Sequence, residues 1–333
     1  MIIHTKAYPR AGLIGNPSDG YFGKTIAFTF ANFAAEVLLY QTPELEIIPA
    51  ARDHSRFPSI RQLASDVRQH GYYGGIRLLK AAIKRFYDYC EEHHITLDER
   101  NFTIRYQSNI PQQVGLAGSS AIITACFRAL MSFYQIEIPK PILANLILSV
   151  ENVELCIPAG LQDRVAQVYQ GLVFMDFNKD MMDLQGYGRY EPLDPALLPP
   201  LFIAYRTDLA EGTEVFHNNI RARWEMGDPV VVEAMKYWAG LTVQVRDLLL
   251  RGEKEKIAPL INAGFDKRRA IYQIGKGNIR MVEAARACGA SAQFTGSGGA
   301  IVGTYADDAM FATLQGKLEP LGIKVLKPQL VGS

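Results

Sequence analysis

The run Pro111-Gln-Gln-Val-Gly-Leu-Ala-Gly-Ser-Ser-Ala121 decides how this chain is read. Upstream of it, Phe102 to Ser108 (Phe-Thr-Ile-Arg-Tyr-Gln-Ser) alternates in side-chain character as a half-buried strand does. Downstream, Ala121 to Phe133 carries the apolar density of a packed helix. Gly115, Gly118, Ser119 and Ser120 fall at the turn between the two. Glycines let a backbone approach a ligand and present successive N–H groups, and a helix start adds the positive end of its dipole. That combination suits a di- or triphosphate. The same turn would also serve as a plain helix start with Ser119 or Ser120 as N-cap, so taken singly the loop leaves both readings open.

Two more glycine-rich segments interrupt the chain. Ala7-Tyr-Pro-Arg-Ala-Gly-Leu-Ile-Gly-Asn-Pro-Ser-Asp-Gly-Tyr-Phe-Gly-Lys24 reads as a Gly/Pro/Asp-rich loop ahead of an apolar run from Thr25 to Phe33. Phe294-Thr-Gly-Ser-Gly-Gly-Ala300 runs into the apolar strand Ile301 to Tyr305. Between the second and third lies Ile157-Pro-Ala-Gly-Leu-Gln-Asp-Arg-Val-Ala166, with an aspartate just after a glycine-containing turn.

In this order the segments resemble those of the GHMP small-molecule kinases, a family that includes galactokinase, homoserine kinase, mevalonate kinase and phosphomevalonate kinase. The resemblance covers roughly residues 5 to 305. Where the usual family loop reads Gly-Leu-Gly-Ser-Ser, Ala117 is inserted here before Gly118. That longer loop is similar to the glucuronokinase branch, as are Gly-Asn-Pro-Ser-Asp-Gly, His70-Gly-Tyr-Tyr-Gly-Gly-Ile-Arg-Leu-Leu79 and Gly160-Leu-Gln-Asp-Arg-Val-Ala-Gln-Val-Tyr169.

The resemblance implies an α+β, two-domain GHMP kinase fold. A nucleotide-binding domain like ribosomal protein S5 domain 2 would span residues 1–193 and a ferredoxin-like domain residues 201–333, with the active site between them. It implies an ATP-dependent sugar 1-kinase that uses ATP and Mg²⁺ to convert D-glucuronic acid to glucuronic acid 1-phosphate. A relative with another acceptor (a heptose phosphate, galactose or mevalonate) is the alternative, as is a non-catalytic sugar-binding regulator on the same fold. Joint retention of Arg10, Ser120, Glu151 and Asp163 argues against the regulator.

Phosphoryl transfer needs phosphate donors, a divalent metal, a cation and a group that orients or deprotonates the acceptor hydroxyl. By resemblance, Gly115, Leu116, Ala117, Gly118, Ser119, Ser120 and Ala121 hold the nucleotide, and the last glycine motif packs against this loop. Ser120 and Glu151 hold Mg²⁺, a hard ion that prefers oxygen ligands and keeps several waters. Glu154, three residues on, leaves open which of the two carboxylates serves. Asp163 is the catalytic acid–base candidate; its alternative is the N-cap of a helix starting near Arg164. Arg10 aligns with the basic residue beside this aspartate in relatives.

Asn16 and Asp19 suit recognition of ring hydroxyls, although Asn-Pro-Ser-Asp-Gly is also a strong turn signal. A uronic acid needs a cation for its carboxylate, and Arg164, Arg206, Arg10 and Lys24 are all candidates. Tyr72, Tyr73 and Gly74-Gly75 could floor the acceptor site or simply pack in the core.

Composition narrows the remaining classes. The 333 residues suffice for two domains, and 35 basic against 34 acidic residues leave a formal charge of +1. Without a long like-charge block, nucleic acid is not an expected partner. No stretch of eighteen apolar residues and no signal-like apolar core is found, so a protein of the cytoplasm, monomeric or homodimeric and without a membrane partner, is expected. The four cysteines lack Cys-x-x-Cys spacing and the six histidines lack ligand spacing, which points to reduced packing residues and no structural transition metal.

Helices are expected at about 60–67, 74–92, 121–134, 140–156, 229–250, 253–263, 279–288 and 307–321. Strands are expected at 2–7, 26–33, 36–41, 45–49, 102–108, 171–177, 201–206, 292–295, 300–304 and 323–327. Strands and helices do not alternate one for one, which favours α+β over a doubly wound parallel sheet. Asp194 to Pro200, with three prolines, reads as a hinge.

Overall fold

The alternation from Phe102 to Ser108 is borne out by the strand Asn101–Ser108, whose even-numbered residues Phe102, Ile104 and Tyr106 are buried while Arg105 and Gln107 face outward. The computed structural model describes residues 1–50, 53, 59–61, 74–207 and 220–332. The expected Tyr72–Tyr73 turn and most of the expected helix 60–67 lie outside them. The described chain groups into two compact units that interleave in sequence: 1–8, 33–110 and 118–159 form the first, and 9–32, 111–117 and 160–333 the second.

In the first unit, Ile2–Ala7, Ala35–Thr42 and Asn101–Ser108 pair antiparallel, and Glu46–Ile48 joins Asn101–Ser108 in parallel. The inward face is covered by the helix Gly118–Tyr134, which is apolar almost all round and buries eleven of its residues. A helix of that kind must be wrapped on every side. Thr5 Oγ1 donates to Ala125 O at 2.7 Å, and Phe102 meets Phe133 edge to face at 5.4 Å between centroids. The helix Gly75–Glu92 packs beside it. Gly75 is required there, because a Cβ would collide with the Tyr106 ring, so this glycine is a packing residue. The expected helix 140–156 is shorter: Lys140–Ser149 is α-helical and then widens into a π-turn, Val150–Glu154.

The second unit holds two antiparallel four-stranded sheets. One runs Arg10–Ile14, Lys24–Thr29, Leu172–Asp176, Arg189–Leu193; the other runs Gln293–Phe294, Ala300–Thr304, Leu201–Tyr205, Lys324–Leu326. Phe202, Phe265, Met281, Phe294, Ile301 and Leu314 form the core against the second sheet, each buried aromatic contributing roughly 2–3 kcal/mol. The helix Pro229–Leu250 begins where the sequence places it, with Asp228 accepting from Val230 N at 2.9 Å and Pro229 in the first turn. The Asp194 to Pro200 segment lies inside this unit, where Asp194 caps the short 3₁₀ turn Pro195–Leu197.

Two strands and a helix fall where the sequence reads as loop, and a second helix is the one the sequence allows near Arg164. The strand Arg10–Ile14 sits inside the first glycine-rich segment, and Arg189–Leu193 carries Pro192 on a sheet edge. Leu161–Tyr169 and Lys179–Gln185 are helices.

Candidate active site

In the second unit, the loop 111–117 is defined by left-handed backbone at alternate positions: φ is 56° at Gln113, 68° at Gly115 and 59° at Ala117. Such turns build concave backbone nests for anions. Three successive carbonyls of the loop are held from outside it. Gly115 O accepts from Arg10 Nη1 at 3.1 Å and from Thr295 Oγ1 at 3.2 Å, Leu116 O from the Arg10 backbone N–H at 3.2 Å, and Ala117 O from Gln167 Nε2 at 2.8 Å. Because a trans peptide points its C=O and N–H in opposite directions, each held carbonyl turns the next N–H away from Arg10 and Gln167.

The last glycine motif lies against the same loop, as the sequence suggests. A Cβ on Gly296 would come within 2.6 Å of Gly115 O, and one on Gly115 within 3.0 Å of Ser297 N. Backbone meets backbone here, and only glycine allows it. Gly12 is fixed in the same way: its N–H donates to Thr295 O at 2.9 Å, and an added Cβ would sit 2.9 Å from that oxygen.

Arg10 is the hub. Its side chain is 4% exposed, donates from Nη1 to Thr295 O at 2.6 Å as well as to Gly115 O, and gives Nη2 to Asp163 Oδ1. Asp163 sits in the first turn of Leu161–Tyr169, whose N-cap is Gly160, so the aspartate is not the cap the sequence allows as its alternative. Arg164 Nη1 lies 3.4 Å from Asp163 Oδ2 and donates to Gly160 O at 2.8 Å.

Asp19 completes the cluster. Its carboxylate accepts from the backbone N–H groups of Gln162 and of Asp19 itself, and a Cβ on Gly160 would lie 2.7 Å from its Oδ2. It therefore acts at the N-terminus of the Asp163 helix from a separate segment. Burial, and then the negative charge of Asp163, push its pKa up to about 6, against the opposing charge of Arg10. Asn16 stands three residues before it, half-buried, with its Nδ2 3.6 Å from the place a Gly12 Cβ would take.

The pKa of Asp19 has a checkable consequence. A carboxyl raised above its ordinary value favours the fold while protonated, so stability falls as pH rises from about 4 through 6 and stays lower above that. We expect Asp19→Asn to narrow the difference in melting midpoint between pH 5 and pH 7.5. Equal differences in the two proteins would show that Asp19 does not titrate in this range.

The first unit carries the remaining candidates. Gly118, Ser119, Ser120 and Ala121 form the first turn of Gly118–Tyr134, with Ser120 and Ala121 fully buried. Glu151 lies 3% exposed in the π-turn. Glu154 is engaged with Lys84 Nζ at 2.9 Å, which separates the two carboxylates: one buried, one in a surface ion pair. A hydroxyl and a buried carboxylate are oxygen donors of the kind Mg²⁺ takes. A cavity of about 460 Å³ in this unit, walled by Leu45, Ile47, Phe86, Phe102 and Leu130, is apolar and contains none of these residues.

Of the cations considered for a substrate carboxylate, Lys24 is paired with Asp176 and Arg206 donates to Leu321 O at 2.8 Å. Arg10 and Arg164 remain in the cluster. Sequence reasoning missed Arg268, 3% exposed on Ala258–Ile271. Its Nη1 donates to Gly296 O at 2.9 Å, and its guanidinium stacks over Phe294 and Tyr272 at 5.2 and 5.3 Å. Burial lowers its pKa, and Asp19 is close enough to oppose that. Asp266-Lys-Arg-Arg269 reads as a solvated charge run, which concealed it.

Comparison with known proteins identifies the family. The family described as GHMP kinases N terminal domain matches residues 77–171. Glucuronokinase 1 of Arabidopsis thaliana is 45% identical over 306 residues, covering 90% of this chain and 84% of the relative. Among solved structures, Lactococcus lactis galactokinase complexed with galactose superposes with a TM-score of 0.74 at 16% identity, over 99% of this chain and 93% of the other. Streptococcus pneumoniae phosphomevalonate kinase in complex with phosphomevalonate and AMPPNP does so with 0.75 at 14% identity, over 99% and 100%. The α+β, two-domain fold expected from the glycine motifs is thus the one found, and the chain belongs to the GHMP kinase family.

Proposed function

We propose that this kinase transfers the γ-phosphoryl group of ATP to the anomeric hydroxyl of D-glucuronic acid, giving glucuronic acid 1-phosphate and ADP. The observation that carries the reading is the 45% identity to Glucuronokinase 1 over 90% of the chain. The ion pair between the buried Arg10 and the half-buried Asp163 supports it, since a regulator without catalysis has no need of an acid–base group held against a buried cation.

Asp163 takes the hydroxyl proton as the sugar oxygen attacks the γ-phosphorus; the new P–O bond forms and the bond to the ADP oxygen breaks. Arg10 fixes the carboxylate and ties it to the loop that receives the nucleotide phosphates. Asn16 and Asp19 accept and donate to ring hydroxyls, and Arg164, beside Asp163, is the cation assigned to the substrate carboxylate. Ser120 and Glu151 would hold Mg²⁺, which when bound neutralises charge developing on the phosphates. The reaction takes place in the cytoplasm in a monomer or homodimer. Among the described residues no helix is long and apolar enough to cross a membrane.

A panel of glucuronate, galactose, mevalonate and heptose 7-phosphate with ATP and Mg²⁺, read as ADP release, tests the acceptor. We expect kcat/KM for glucuronate to exceed the others by at least about a hundredfold, the scale set by leaving buried polar groups unmatched. Turnover of galactose with refusal of glucuronate overturns the reading.

A further inference from the structure

We propose that Gln167 is a positioning residue for the nucleotide loop, holding Ala117 in its left-handed conformation and coupling that loop to the helix that carries Asp163. The inference rests on the nucleotide-binding reading of loop 111–117.

Three observations converge. Ala117 is an alanine with φ of 59°, a conformation that its Cβ disfavours. Its carbonyl accepts from Gln167 Nε2 at 2.8 Å, and the Gln167 side chain is only 1% exposed, so water does not substitute for the amide as donor. Gln167 stands four residues after Asp163 in Leu161–Tyr169, on the same helical face. Asp163 in turn binds Arg10, which holds Gly115 O and Leu116 O. One face of one short helix thus reaches two peptide planes of the loop: Asp163 acts on Gly115 O through the Arg10 side chain, and Gln167 acts on Ala117 O directly.

Ala117 is also the residue that lengthens this loop relative to Gly-Leu-Gly-Ser-Ser. A glycine there would adopt the left-handed angle without help. With alanine, the conformation has to be held from outside, and Gln167 reaches its carbonyl. The role is one of ground-state alignment of the phosphates, so it is expressed in nucleotide affinity and not in the chemical step.

The test is a double-mutant cycle between Gln167→Met, which keeps length and helix propensity but removes the donor, and Ala117→Gly. In the natural background, Gln167→Met is expected to raise KM for ATP about tenfold, the loss of one buried hydrogen bond, with kcat and KM for glucuronate within about twofold. In the Ala117→Gly background the same change is expected to move KM for ATP by no more than about twofold. An equal effect in both backgrounds, or an unchanged KM for ATP in the natural one, overturns the proposal. If Gln167→Met does not fold, Gln167→Glu, an acceptor of the same shape at neutral pH, takes its place with the same two expectations. A wild-type protein that fails to bind ATP by calorimetry would instead refute the nucleotide reading, so the two failures are distinguishable.

Discussion

Asp163→Asn should lower kcat for glucuronate phosphorylation by 10²–10⁴-fold, the range that a general base commonly supplies, or roughly 3–5 kcal/mol of barrier. The amide keeps an oxygen that accepts from Arg10 Nη2, so the helix Leu161–Tyr169 and loop 111–117 retain their anchors. It has no basic site for the hydroxyl proton. The dissociation constant for ATP should therefore stay within about threefold while turnover collapses, a split that a folding defect would not produce. Single-turnover kinetics with calorimetric ATP binding measures both halves. Unchanged turnover would remove Asp163 from the chemistry.

Arg10→Met is expected to be more damaging to the protein as a whole. The guanidinium is 4% exposed and serves Asp163, Gly115 O and Thr295 O together. Removing it takes a donor from a carboxylate and from two carbonyls, although Gly115 O keeps Thr295 Oγ1 and Thr295 O keeps the Gly12 N–H, and breaking an ion pair of this kind costs about 3 kcal/mol. For a unit of this size that lowers the melting midpoint by roughly 6–12 °C, and ATP binding weakens with it because Gly115 O in the loop loses one of its two donors. Arg10→Lys should rescue little: a single ammonium does not reproduce the planar fork that reaches three acceptors. A lysine variant with native melting and native ATP affinity would show that charge alone, not fork geometry, is what the position supplies.

The sequence made legible whatever was periodic. Ile2–Ala7 and Ala300–Thr304 match their expected bounds, and Pro229–Leu250 does too, because Asp228 and Pro229 mark its start. Motif residues were legible for another reason: glycines at Gly115 and Gly296 are needed where two backbones touch, and that need shows in one dimension.

What stayed hidden was structure made by partners. Arg10–Ile14 reads as loop because Pro9, Gly12 and Gly15 surround it, yet all five of its residues are buried and Gly12 is there to admit Thr295. The helix Leu161–Tyr169 begins after a Pro-Ala-Gly turn and is short, so its apolar Leu161, Val165 and Val168 are diluted by the equally buried Gln162, Arg164 and Gln167. Buried polar side chains such as Gln167 and Arg268 are recognised only through what they bond, and Ala117 O and Gly296 O lie 50 and 28 residues away in the chain.

Arg10 precedes Thr295 by 285 residues, and Leu13 precedes its partner Gln293 by 280. On the ribosome, at 5–20 residues per second, the amino-terminal strand therefore waits roughly 15–60 s for the segment that completes its surroundings. Through that interval five residues destined for the interior stay incompletely covered on the nascent polypeptide. Expression yield in a heterologous host should then respond to chaperone supply, and a fragment truncated at residue 193 would be born without the partners its first motif requires.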